Sequence, residues 1–194
     1  RDTITTLNNL AIVNHQMGRG EEALKLMNSA LEERQRLYGS RHLNTLMSLA
    51  STASIMHHLG RRIEAEEAAR QALSGVNSSL GPMNPAAQQP TRILASLLSD
   101  QNRFNESEVM LRQLIERPAT GLSENDVLLN RLMLGDVLVH LGRLSDADPL
   151  ISHAREEQRR LLGEAHFETN RSLLALARLR VKQGRHQEAL SLLI

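Results

Sequence analysis

A dipeptide that returns about every 42 residues constrains this chain more than any other feature. Gly18-Arg19 recurs as Gly60-Arg61, Asn102-Arg103, Gly142-Arg143 and Gly184-Arg185, at steps of 42, 42, 40 and 42 residues. Three further series keep step with it. They are Gly39, Gly81, Gly121 and Gly163; Ala23, Ala65, Ser107, Ala147 and Ala189; and Ala11, Ala53, Ala95, Gly135 and Ala177. A common period with one common two-residue deletion marks a repeat array, in which each unit buries its apolar face only by stacking on a neighbour. The repeats are predicted at approximately 1–42, 43–84, 85–124, 125–166 and 167–194, the last incomplete.

Each repeat reads as two helices. Apolar residues recur at spacings of three and four over segments of roughly 15 residues, the amphipathic-helix pattern. In the first repeat, Ile4, Leu7, Leu10, Ala11 and Asn14 are expected on one face, and Gly18 ends the helix in the left-handed conformation that glycine adopts cheaply. Glu22-Ala23 opens the second helix, with Leu24, Met27, Ala30, Leu31 and Leu37 expected inward. Glu21, Glu22, Glu106 and Asp146 place negative charge at second-helix starts, where the macrodipole favours it. Ser123-x-x-Asp126 and Ser145-x-x-Asp148 read as variants of the capping box, and Pro149 as a first-turn proline. The Ala, Gly and Ser series mark where paired helices approach closely, so no chemical role is assigned to them. The third repeat is irregular. Pro82, Pro85 and Pro90 crowd its first helix, which Pro90 is expected to break or kink, and Pro118 cuts its second.

Composition excludes several classes of function. The 194 residues hold no cysteine, so disulfides, thiolate chemistry and cysteine-ligated zinc are ruled out. Lys and Arg number 23 against 22 Asp and Glu, a balance without the electrostatic footprint of general nucleic-acid binding. No apolar run reaches the roughly 18 residues of a membrane span, and no signal peptide is present, so a cytoplasmic location is expected. Sequons at Asn77, Asn105 and Asn170 are read as chance. The start at Arg1 without Met, and ends without a polar capping helix, lead to the expectation that the array continues in a longer chain. Apolar faces at such ends would support self-association. Eight histidines invite a metal reading, but His57 and His58 are adjacent and point to different faces, and His15 with His57, and His42 with His166, recur with the repeat. No cofactor or metal is therefore expected. There is no G-x-S-x-G, Walker A or G-x-G-x-x-G motif, and no facing carboxylates, so no enzyme is expected.

The segments Thr6-Leu-Asn-Asn-Leu-Ala11 and Gly18-x4-Ala23 resemble tetratricopeptide repeats. So do the junctions Tyr38-Gly39-Ser-Arg-His42, Leu80-Gly81-Pro-Met-Asn84 and Leu162-Gly163-Glu-Ala-His166, and the 42-residue length is similar to the kinesin light chain type. The resemblance implies an all-α fold, a right-handed α-solenoid of stacked antiparallel helix pairs. It further implies a non-catalytic scaffold that binds a peptide or partner segment in a concave groove lined by first helices. Similar arrays form regulatory or sensor regions of signalling NTPases and motor adaptors, which is the alternative context. In the family, asparagines of the Asn-Asn-Leu-Ala motif hold the peptide. Asn9 matches, whereas Ser51, Ile93, Met133 and Ala175 stand at the equivalent positions. Taking first helices as groove-lining gives the candidate binding residues Asn9, Gln16, Ser51, His58, Arg92, Asp136, His140, Arg171, Arg178 and Lys182, with Ile12, His15, Ser54 and Ser96 beside them. Arg171, Arg178 and Lys182 are spaced seven and four, so they share one helical face, which would suit an acidic partner through bidentate arginine contacts.

Overall fold

A computed structural model describes residues 2–82, 84–116 and 121–193, with the side chain of Asp2 left out. The break read at Pro118 lies outside the described residues. Regular structure among the described residues is helical throughout. The chain divides into a first unit, residues 1–100, and a second, residues 101–194.

The first unit holds α1 (Asp2–Gln16), α2 (Gly20–Tyr38), α3 (Leu43–His58), α4 (Arg62–Leu80) and α5 (Gln88–Asp100). Helix α1 pairs with α2 and α3 with α4, while α3 also packs on α2 and on α5. The second unit holds α6 (Phe104–Glu116), α7 (Glu124–His140), α8 (Leu144–Leu162), α9 (Phe167–Lys182) and α10 (His186–Ser191). There α7 pairs with α8 and α9 with α10, and α8 packs on α9. These are stacked helix pairs of the α-solenoid class, as the repeat period implied.

The turns explain why the period is so strict. Gly18, Gly60, Gly142 and Gly184 all carry φ of +76°, and each closes a turn between paired helices. Asn102 stands in the same place with φ of +60°, asparagine being the next most tolerant residue there. The arginine that follows precedes the second helix and grips an acid three residues on. Arg61 donates from Nε and Nη2 to Glu64 at 2.9 and 2.6 Å, and Arg103–Glu106, Arg143–Asp146 and Arg185–Glu188 repeat the fork. The first helices are capped differently. His42 Nδ1 accepts from the Asn44 amide and His166 Nδ1 from the Glu168 amide, both at 3.2 Å. Asn84 and Ser123 do the same with a side-chain oxygen. The junction residues of the repeat are thus helix caps.

Both small-residue series are buried, from Ala11 and Ala23 to Ala177 and Ala189. The core around them is aliphatic. Met27, Leu94, Leu97, Leu98, Leu132 and Ile151 are fully enclosed.

Several expectations need correction. Leu10 is 46% exposed and Leu37 49% exposed, while Leu7, Asn14 and Leu31 are half-buried. The equivalents of Leu37, Ser79 and Leu161, are exposed too, so that position lies off the packing face. The equivalents of Leu10 and Val13 in α3, Thr52 and Ile55, are buried, and Ile55 clusters with Leu24 and Met27 of the preceding helix α2. No described helix precedes α1 to do the same for Leu10. Pro90 neither breaks nor kinks its helix. A 3-10 turn, Pro85–Ala87, leads into α5, and Pro90 is the third residue of that helix, where its absent N–H is not missed. Ser145 is no cap, because α8 starts at Leu144 after Arg143. Pro149 therefore lies inside α8, beyond its first turn, and leaves the Ser145 carbonyl without its i+4 partner. Ser123 does cap α7, accepting from the Asp126 amide at 3.1 Å, while its hydroxyl donates to the Asp126 carboxylate at 2.6 Å.

Candidate functional site

In the first unit, the helix stacking leaves a groove of about 180 Å³ between α1, α3 and α5 over α2. Met27 and Ile55 give it an apolar floor, and both are buried by the packing of α2 on α3. Ile12 and His15 enter from α1, Ser51 and Ser54 from α3, and Gln89 from α5. The polar wall is neutral and cross-linked. Ser51 Oγ donates to the Met47 carbonyl at 3.1 Å and accepts from Gln89 Nε2 at 3.3 Å. Each serine carries its side chain out of a helical turn, so the wall is positioned by rigid elements.

His58 lies beside this groove. Its Nδ1 is 2.7 Å from the Ser54 carbonyl oxygen, which can only accept, so Nδ1 carries the proton. Its ring meets that of His15 edge-on, centroids 4.7 Å apart. Burial, followed by the neighbouring His58, holds His15 below the usual imidazole value. Asn9 and Gln16 are exposed on α1, and Arg92 is half-buried on α5. The structure thus places Ser51, with Ile12, His15 and Ser54, on one groove, and puts His58 against its edge.

In the second unit, four of the remaining candidates gather around α7 and α9. Arg178 Nη1 donates to Asp136 Oδ1 at 3.0 Å, joining residues one repeat apart. Burial pushes the Asp136 carboxyl up despite the opposing pull of Arg178, Arg171 and His140. Arg171 Nη1 lies 3.7 Å from Glu168 Oε2. His140 stacks face to face on Phe104, centroids 4.7 Å apart and 7° from parallel. Lys182 is exposed at the end of α9. The basic face read from Arg171, Arg178 and Lys182 is therefore partly neutralised, since Arg178 is engaged by Asp136.

Sequence reasoning missed Gln89, Met27 and Ile55 in the groove and Phe104 against His140. Gln89 was hidden by the reading of Pro90 as a helix breaker. It also missed a clamp between α8 and α9. Asp148 accepts from Arg180 at 2.7 Å, Gln183 at 2.9 Å and Ser152 at 2.8 Å. The Arg180 hydrogen bond, above all, holds the Asp148 carboxyl down to about 2. Among the described residues no group of three or more His, Cys, Asp or Glu side chains could hold a metal ion. No helix among them is long and apolar enough to cross a membrane.

Comparison with known proteins agrees with this architecture. No curated protein sequence matches the chain significantly. Its fold is shared with the nearly identical TPR-like repeats of a Podosopora anserina protein described as a kinesin light chain. The TM-score is 0.76 at 22% identity, over 98% of this chain and 91% of that one. A Rap protein solved in complex with Competence and Sporulation Factor gives a TM-score of 0.83 at 14% identity. That match covers 98% of this chain and 52% of the Rap protein. BtubC from P. vanneervenii gives 0.77 at 16% identity, over 97% and 76% of the two chains. The tetratricopeptide repeat profile matches residues 2–78 and 127–193, well over half of the sequence. On that match, and on the helix pairs and turns that carry it, the chain belongs to the tetratricopeptide repeat family.

Proposed function

We propose that the chain is a non-catalytic protein-interaction module that takes an extended peptide segment in the groove of its first unit. The observation that carries this is the groove itself, an apolar floor of Met27 and Ile55 under a neutral polar wall of His15, Ser51, Ser54 and Gln89. Such a lining suits one apolar side chain with its flanking backbone amides, and small-molecule and peptide sites share that plan. Asn9, Gln16, His58 and Arg92 flank the groove as contacts along the segment. The Rap protein of the same fold, solved with Competence and Sporulation Factor, supports partner binding by such an array. A cytoplasmic scaffold, or a regulatory region of a larger signalling NTPase or kinesin light chain-like adaptor, is the setting that fits.

Asp136, His140, Arg171, Arg178 and Lys182 form a second contact face, for an acidic stretch. Arg171 and Lys182 supply its charge, and Asp136 fixes the direction of Arg178. Self-association has its own support in the exposed residues Leu10 and Val13 on α1 and Met17 just after it, and sedimentation over a range of concentrations tests it.

A peptide-display selection followed by calorimetry tests the main reading. Filling the groove with Ser54→Phe is expected to weaken the selected peptide at least about tenfold, or about 1.4 kcal/mol. Equal affinity in Ser54→Phe and Gln89→Ala would sink the groove as the site.

A further inference from the structure

Three imidazoles and one carboxylate meet along one edge of the first unit. His15 lies in the last turn of α1, its ring edge-on to His58 of α3, with centroids 4.7 Å apart. His57 lies beside His58, centroids 5.7 Å apart, and its Nε2 is 2.7 Å from Asp100 Oδ2 of α5. The three rings stand in unequal surroundings. His57 is hydrogen-bonded to a carboxylate. His58 already commits Nδ1 to the Ser54 carbonyl. His15 is half-buried, and its groove neighbours Met27 and Gln89 are uncharged.

Of the other charges on the surrounding helices, Arg92 of α5 is half-buried. Glu21, Glu22 and Lys25 of α2 are exposed. On α4, Glu64 is paired with Arg61 and Glu66 with Arg70, and Arg62 and Glu67 are exposed. Asp100 of α5 is engaged by His57. The titratable group that acts on His15 is therefore His58, and the two rings have no carboxylate between them to absorb a second proton.

We propose that His15 and His58 form a proton-sensitive latch between the first and second helix pairs. Neutral, the rings pack against one another and hold the end of α1 on α3. When each takes up a proton from solvent, the contact becomes a like-charge repulsion, and α1 loosens from α3. The direction follows from linkage. Folding disfavours the charged form of His15, so the unfolded chain binds the proton first, and stability is lost as pH falls below the ordinary imidazole range near 6.5. The latch rests on the ring contact between His15 and His58 and not on what occupies the groove.

Hydrogen exchange of the full 194-residue chain, compared at about pH 7.5 and about pH 5.5 after correction for intrinsic rates, reads it directly. Peptides of α1 are expected to lose protection on acidification while those of α3 and α5 keep theirs. His15→Gln and His58→Gln should each remove that loss, and His57→Gln should leave it in place. An imidazole NMR titration adds a second reading, in which the His15 midpoint rises in His58→Gln. Protection of α1 that is indifferent to pH in the wild-type chain overturns the proposal. So does a loss of equal size in His15→Gln, or a His15 midpoint unmoved by His58→Gln.

Discussion

A methyl group added at Gly135 would lie 2.5 Å from Ile151 Cγ1, inside any contact that two carbons tolerate. Ile151 is fully enclosed and cannot swing aside, so Gly135→Ala should destabilise the chain by about 1–2 kcal/mol in urea unfolding. That cost would exceed the helix propensity gained. Asn102 presents the complementary case. Its φ of +60° suits glycine better than any side chain, so Asn102→Gly should be neutral or stabilising. Asn102→Ala should cost about 1 kcal/mol in the same assay. Residues such as these were legible from the repeat alone, because the same steric demand recurs at each equivalent position. The partners of Arg178 and His140 were not, since Asp136 and Phe104 lie 42 and 36 residues away and no local pattern marks them.

Helix ends and helix-to-helix clamps decide how each element is held. His42 caps α3 with an imidazole nitrogen, so His42→Ala should lower stability by about 1 kcal/mol, and His42→Asn should restore it, as read by thermal unfolding. Asp148 ties α8 to α9 through Arg180 and to the end of α9 through Gln183, with Ser152 of its own helix as a third donor, and its carboxyl is held near 2 by Arg180 first. The stabilisation is therefore complete above the unfolded value of about 3.9 and is lost as pH falls from there toward about 2. Solvent screens this partly exposed carboxylate, so Asp148→Asn should remove about 1 kcal/mol at neutral pH, and the gap from wild type should close across that acid window. The four exposed arginine forks before the second helices are a different matter. Pairs of that kind contribute little each, so replacing any one of these arginines by Gln should leave the unfolding midpoint close to that of wild type. Their regularity reflects the repeat more than a need for each bond.

At the scale of the whole molecule, stability in a repeat array comes from neighbouring interfaces, and function from what the neighbours leave uncovered. The groove in the first unit and the charged face in the second are built from different helices and can be tested apart. Arg171→Glu combined with Lys182→Glu should weaken binding of an acidic peptide about tenfold or more and leave far-UV circular dichroism unchanged. A double variant that binds as wild type would remove the acidic-partner reading and leave the groove untouched.

The sequence by itself determined the helix pairs, their turns and the small-residue contacts. Those are set by local chemistry, a glycine where φ must be positive and an alanine where two backbones approach, and the repeat prints them several times over. It also singled out several groove residues, because first helices carry Ile12, His15, Ser51 and Ser54 at fixed repeat positions. The tertiary structure decided which of the candidates meet. It closed Gln89 over Ser51, set His15 against His58, and spent Arg178 on Asp136. The physical reason is that a side chain's freedom depends on the neighbour it finds across a helix interface. Packing chooses that neighbour, and the period, even where it equals the separation as for Arg178 and Asp136, does not say which side chains meet.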